Sequence, residues 1–397
     1  MPGRQSSTMP RRRLTLKIVI GRRHPFSTDA AIIGWSRYSS LDLEQAFESM
    51  APAGRQPSNN EDTKGLRDRF WECVRTSRFH LFSTVFSKEG LMRSNPKAAS
   101  ALLFLLCMSC AGAASARLAL VDAHAKYPEG PLWDHGHLLY VEYVGSDIRE
   151  IDKGRAKIYW HKDHCGPSAL IRFDGDHLLV ACYDGNYLAE LDSRGALVRT
   201  ISRDSAGNSF VGPNDFAADG RGGVYFSASG VYNVDAPITG AIYHLSADGR
   251  EMHEVANHIH YPNGLTLSRS GRHLLVAEML AARIISFPLR ANGTLGPRQV
   301  WARLRDLAPP TPNEDAYNGP DGFKVGPDGN YYIAQNGSGR VLVVSGSRKL
   351  VRMIKVPTPY VTNIGFGPSG TNSVYITGAF AQWKPPYPGA VYRWTPN

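Results

Sequence analysis

Beyond residue 128 the hydrophobic pattern repeats. A short apolar run is opened by an anchor residue, and a glycine turn follows seven or eight residues later. The anchors are Glu129, Ser168, Asn214, Asn263, Asp321 and Asn363, with turns at Gly136, Gly175, Gly222, Gly271, Gly329 and Gly370. Each turn leads into a second apolar run: Leu138 to Val141, Leu178 to Ala181, Val224 to Phe226, Leu274 to Ala277, Tyr331 to Ala334 and Val374 to Ile376. These runs are rich in β-branched, aromatic and aliphatic residues, which suits buried strands. A third strand is legible behind each: Ile148 to Ile151, Leu188 to Leu191, Ala241 to Leu245, Arg283 to Phe287, Val341 to Val344 and Val391 to Trp394. No segment of the repeats shows a capped apolar stripe of helical period.

Anchor spacings of 39, 46, 49, 58 and 42 residues lie in the range of propeller blades. A stacked β-solenoid is the competing architecture, but it wants shorter and more uniform repeats. Four antiparallel strands per unit, repeated six times about a channel, predict an all-β fold, a six-bladed β-propeller. Closure of the ring also hides sheet edges that an open array would expose.

Charge divides the chain. Up to residue 116 there are 17 basic and 9 acidic residues, which leaves 28 and 26 of the totals of 45 and 35 for the repeats. The basic excess therefore belongs to the N-terminal third and gives no reason to assign nucleic-acid binding to the repeat domain. Residues 1–91 show no sustained period and read as a disordered or spurious extension. Residues 92–116 read as an export signal. Arg93 and Lys97 precede an apolar run from Ala98, and Ala114-Ser115-Ala116 has the small-residue cleavage pattern. An uncleaved membrane anchor is the alternative. Either way the propeller at 117–397 is expected to be exported, periplasmic or secreted, as a monomer without a membrane partner of its own. Cys165 and Cys182 flank the second hairpin and are expected either as a disulfide or as two small core residues.

In a propeller the innermost strands line the channel, so equivalent anchors meet at one mouth. Glu129, Asn214, Asn263 and Asp321 would converge there, two carboxylates and two amides with no cysteine or histidine in register. Such hard oxygen donors suit Ca²⁺, with Mg²⁺, Mn²⁺ and Zn²⁺ as alternatives. Pro-Asn-Gly and Pro-Asp-Gly are also ordinary turn sequences. The chain supplies a control, because Gly-Pro-Asp-Gly occurs twice, at 319–322 and 326–329. Register makes Asp321 the anchor and Asp328 a turn residue. His258 and His260, just before the fourth anchor, are either polar loop residues or a part of proton transfer. Trp133, Tyr143, Tyr183 and Phe380 are candidate pocket walls. No Gly-x-Ser-x-Gly elbow supports a serine esterase.

Tyr127-Pro128-Glu129-Gly130-Pro131, Gly212-Pro213-Asn214-Asp215, Tyr261-Pro262-Asn263-Gly264-Leu265, Gly319-Pro320-Asp321-Gly322 and Val361-Thr362-Asn363-Ile364 occur in that order across 117–397. The series resembles the gluconolactonase, senescence-marker-protein (regucalcin) family. The resemblance implies a divalent cation held by Glu129, Asn263 and Asp321. It also implies Asn214 facing the metal site and a small lactone or ester substrate, and Asp321 as general base. The implied reaction is hydrolysis of a cyclic ester, with a cation-activated water, Asp321 taking its proton and Asn214 orienting the carbonyl. One departure stands out. Sugar-lactone-hydrolysing relatives of the animal type carry an arginine where this chain has Gly212. A non-catalytic, Ca²⁺-binding propeller that holds a ligand or protein partner is the competing function.

Overall fold

The computed structural model describes residues 116–396, apart from Asn292 and Asn313. The extension at 1–91 and the export signal at 92–116, save Ala116, lie outside the described residues. The apolar runs fold into six four-stranded antiparallel sheets, the blades of a β-propeller. An opening strand, β1 (Arg117–Lys126), is held back for the last blade. Blade 1 is β2 (Pro128–Asp134), β3 (His137–Glu142), β4 (Asp147–Asp152) and β5 (Arg155–His161), and blade 2 is β6 (Pro167–Phe173), β7 (His177–Cys182), β8 (Tyr187–Leu191) and β9 (Leu197–Ile201). Blade 3 is β10 (Pro213–Ala218), β11 (Val224–Ala228), β12 (Gly240–Leu245) and β13 (Met252–Ile259). Blade 4 is β14 (Pro262–Leu267), β15 (His273–Glu278), β16 (Arg283–Pro288) and β17 (Gln299–Arg303). Blade 5 is β18 (Pro320–Val325), β19 (Tyr331–Gln335), β20 (Arg340–Val344) and β21 (Leu350–Lys355). Blade 6 joins β22 (Tyr360–Phe366), β23 (Val374–Ala379) and β24 (Pro388–Thr395) to β1, which pairs with β24 from Arg117↔Thr395 to Lys126↔Pro388. One short helix, α1 (Leu304–Leu307), is the only α-helix among the described residues, and none is long and apolar enough to cross a membrane.

Second and third strands are buried on both faces because they sit between neighbouring blades. Leu179, Phe226 and Leu245 share one cluster, and Ile333, Leu342 and Phe323 another. The innermost strands obey a different logic. In blades 1 to 5 they begin with proline, which fits the first residue of a strand because it has no N–H to offer a ladder. Just after it the register slips in each of these five blades, and in β22 it slips at Asn363. A bulge re-aims a side chain, and here it takes Ser168, Asn214, Asn263 and Asp321 out of the paired register, while Glu129 and Asn363 stay paired at its edge. Adjacent inner strands approach so closely that a Cβ on Gly264 would fall on Phe323 N, and one on Gly322 would fall on the Asn363 amide oxygen. That contact explains the glycine after these two anchors.

Hydroxyls on two inner strands and on the second strand of blade 3 then tie three blades to the inner strand of the next. Thr362 Oγ1 donates to Pro128 O at 2.6 Å, Ser168 Oγ to Asn214 O at 2.8 Å and Ser227 Oγ to Asn263 O at 2.8 Å. In blades 1, 2 and 4 a second device ties the segment entering the inner strand to the end of the second strand. In blades 1 and 4 it is a carboxylate: Glu142 accepts the Lys126 N–H at 3.1 Å, and Glu278 accepts the His260 N–H at 3.0 Å. Arg149 and Arg283 pair with these two glutamates. In blade 2 the equivalent positions are Cys165 and Cys182, and they are disulfide-bonded. With the cysteines separated by 17 positions in sequence, the bond is worth about 3 kcal/mol by loop-entropy reasoning. The Cys165→Ser/Cys182→Ser variant is expected to melt roughly 6–12 °C lower, a difference that a thermal scan without reductant reads directly.

Candidate active site

The bulged inner strands bring the anchors to one mouth of the channel. Asn214, Asn263 and Asp321 are buried, and Glu129 is half-buried and partly open to the mouth. Asp328, the twin of Asp321, lies in the β18–β19 turn, where Oδ1 accepts the Asn330 N–H at 3.1 Å. Position in the repeat therefore separates the two tetrapeptides, as the sequence predicts. Ser168 faces the neighbouring backbone. Asn363 does more than complete the ring, since its amide nitrogen donates to Asp215 Oδ2 at 3.3 Å and its side chain also supports Glu129.

Glu129 and Asp321 are electrostatically frustrated. Burial pushes the pKa of Glu129 well above the carboxylate range, and the nearby charges of Asp321 and Asp215 push it further. Asn363 and the Gly130 N–H oppose the shift. Asp321 is likewise raised, chiefly by burial and then by Asp215, against the amides of Asn336 and Asn263. Asn336 Nδ2 donates to Asp321 Oδ2 at 3.0 Å, whereas Oδ1 is buried without a hydrogen-bond partner. Asn263 Nδ2 donates to Met279 Sδ at 3.5 Å. A carboxylate oxygen left bare beside a second carboxylate and two amide groups fits a hard cation's donor set. Glu129, Asn263 and Asp321 would hold it.

Three participants were not legible in the sequence. Asp215 directly follows an anchor, and Lys324 lies three residues along β18 from Asp321. The ammonium of Lys324 sits on both Asp215 oxygens at 3.1 and 3.2 Å, an ion pair that neutralises a third carboxylate under the mouth. Asn336 is the third. Their partners are 109 and 15 residues away in sequence, so no local motif flags them. Another cluster, Asp174, His177 and Glu190, also has ligand-type atoms within 4.8 Å of one another. It lies at the other end of β6, and Glu190 is already engaged by His177 at 2.7 Å and Arg199 at 2.6 Å. His258 is not the loop residue expected but lies near the end of β13, where its ring meets the Asn257 side chain, and His260, just beyond that strand, has Nε2 buried without a partner.

Aromatic side chains enclose the mouth. Tyr387, Tyr127, Tyr143, Tyr183 and Tyr261 follow one another with ring centroids 6.0 to 6.4 Å apart. Tyr261 meets Tyr232 at 4.7 Å, and Tyr232 meets Tyr317 and Trp383 at 5.5 Å each. Tyr232 belongs to blade 3 and Trp383 to blade 6, which stand opposite each other in a six-membered ring. Their stacking, with Gln382 Nε2 donating to Tyr232 Oη at 2.7 Å, therefore spans the channel. Burial raises the pKa of Tyr127, Tyr232 and Tyr261, and the charge of Asp321 adds to the shift in all three. Of the candidate pocket walls, Tyr143 and Tyr183 are part of this rim. Trp133 instead stacks on Tyr375 at 5.8 Å between blades 1 and 6, and Phe380 lines an outer groove with Leu120 and Pro357.

The family model for the SMP-30/Gluconolactonase/LRE-like region matches residues 127–380, from the tyrosine before the first anchor into the last blade. The chain belongs to this family. Lactonase drp35 of Staphylococcus saprophyticus is 26% identical over 239 residues, covering 58% of this chain and 69% of that protein. A gluconolactonase from Xanthomonas campestris shares the fold with a TM-score of 0.58 at 21% identity, over 70% of this chain and 89% of its own. The calcium-binding protein regucalcin from Agrobacterium tumefaciens does so with a TM-score of 0.58 at 19% identity, over 71% and 96%.

Proposed function

We propose that this SMP-30/gluconolactonase-family protein is a metal-dependent lactonase that opens a small cyclic ester. The observation that carries the reading is the bare Oδ1 of Asp321, buried beside a second carboxylate whose pKa is also raised. When bound, a divalent cation, Ca²⁺ first among the candidates, supplies Lewis acidity toward the lactone carbonyl and lowers the pKa of a water. The residues do the rest. Asn336 holds Asp321 by Oδ2 and so orients the carboxylate, which would serve as ligand through Oδ1 and take the proton of the attacking water. Asn214, on the inner strand of blade 3, orients the carbonyl and donates to its oxygen as negative charge develops. Lys324 keeps Asp215 from adding an uncompensated charge beneath. We also propose that the domain works outside the cytoplasm, after an export signal ending near Ala116. The Cys165–Cys182 bond suits an oxidising compartment.

The test is a panel of lactones followed by pH-stat, with calcium and with chelator. Hydrolysis that chelator abolishes and calcium restores is expected. Calcium-loaded protein that hydrolyses none of them would overturn the reading and leave a binding propeller.

A further inference from the structure

The anchors account for the chemistry of the mouth but not for its walls. Tyr127 and Tyr261 stand immediately before a proline with φ of 51° and 59°, a left-handed conformation unfavourable for a tyrosine. Blades 2 and 3 place Gly166 and Gly212 at the equivalent positions, the strain-free choice. Two rings are thus held over the site at a conformational cost, which is characteristic of residues kept for function. Over Gly212 the space is taken as well: a Cβ there would lie 2.9 Å from the Tyr183 ring. No side chain can reach the mouth from that strand start.

What the rim offers a ligand is ring surface. Four of its seven tyrosine hydroxyls already have acceptors within the protein: Tyr143 donates to Asp184 at 2.7 Å, Tyr261 to Tyr183 at 3.0 Å, Tyr183 to Gly230 O at 3.1 Å and Tyr232 to Tyr317 O at 2.6 Å. Guanidinium groups on this side are committed too, Arg149 to Glu142, Arg283 to Glu278 and Arg340 to Gln335 and Glu314. A polyhydroxylated ring would bury hydroxyls with few partners, each costly to desolvate. An apolar substituent would gain stacking and dispersion against the same walls. Trp383 is 60% exposed although it caps Tyr232, a large apolar surface left at the entrance.

We propose that this roofed, tyrosine-walled mouth selects lactones bearing an alkyl or aryl substituent over sugar lactones, a choice that rests on the lactonase reading above. The test compares three δ-lactones on the calcium-loaded full chain: glucono-δ-lactone, unsubstituted δ-valerolactone and δ-dodecalactone. The expected order of kcat/KM puts the alkyl lactone about tenfold or more above δ-valerolactone, with the sugar lactone no better than the bare ring. In Tyr232→Ala and, separately, Trp383→Ala, the alkyl-to-bare ratio should fall about fivefold or more, mainly through KM. A preference for glucono-δ-lactone, or a ratio unmoved in both variants, overturns the proposal. Binding of the matching δ-lactams, which resist hydrolysis, is followed by tryptophan fluorescence. If no lactone turns over but the alkyl lactam still binds about tenfold tighter than gluconolactam, the lactonase reading fails and the apolar mouth stands. Equal binding of the two lactams overturns the apolar mouth itself.

Discussion

Asp321→Asn is expected to lower lactone hydrolysis about a thousandfold or more while leaving the propeller folded. The substitution removes the proton acceptor and one charge of the cation site, yet the carboxamide is nearly isosteric and keeps an oxygen for Asn336. The metal-free variant should melt higher than the metal-free parent, because the buried one of two crowded carboxylates with raised pKa values is gone. Calcium should then raise the melting temperature of the parent but not of the variant. Asp328→Asn is the internal control. Its tetrapeptide is the same, but Asp328 sits in an exposed turn and pairs with Asn330 and Tyr332, so activity should stay within about twofold and stability within about 1 kcal/mol. Steady-state kinetics and thermal scans of the two variants check both halves. Equal loss in the two would remove the special role given to Asp321.

The second large effect is a reversal of pH dependence by calcium. In the metal-free protein Glu129 and Asp321 have pKa values above those of the unfolded chain, chiefly through burial. The folded state holds these protons more tightly. The pair's stabilising contribution is therefore complete below the ordinary carboxylate range and is lost as pH rises through the raised values. Calcium binds the ionised pair and acts in the opposite sense, so the stabilisation by calcium should grow from pH 5 to pH 8. At a hundred times its Kd the cation stabilises by about 2.7 kcal/mol, or about 5–10 °C for a domain of this size. Melting curves across that pH range, with chelator and with calcium, measure it. A calcium shift that is flat, or larger at pH 5, would contradict the carboxylate cage.

Most of the propeller was legible in sequence because its inner three strands per blade are buried, and burial writes an apolar run. The outermost strands were not. Leu197 and Val198 of β9 and Val351 of β21 are exposed at 44%, 51% and 56%, so polar residues are tolerated between them and no pattern accumulates. The use of β1 to complete blade 6 left no signal either, since its partner β24 lies at the far end of the chain. Register located the four anchors and told Asp321 from Asp328. It did not find Lys324, which reads as an ordinary strand lysine until Asp215 meets it across the channel. Nor did it find the rim. Tyr127 and Tyr261 are visible beside their prolines, but Tyr232, Tyr317 and Trp383 lie in loops of unequal length and no repeat aligns them. Cys165 and Cys182 acquire their meaning only beside blades 1 and 4, where glutamate and a backbone N–H fill the same positions.

Blade 6 is sewn from the two ends of the domain. Its outer strand, β1, opens the propeller and is made before the other strands of the ring, and β24, which it must pair with, is made after them. No nascent chain can shut the ring early, so five blades must wait as an open crescent until synthesis has passed Thr395. The same seam means that trimming β1 or trimming β24 damages one and the same sheet. Losing either end unlatches the circle at a single place while the blades on either side keep their own hydrogen bonds.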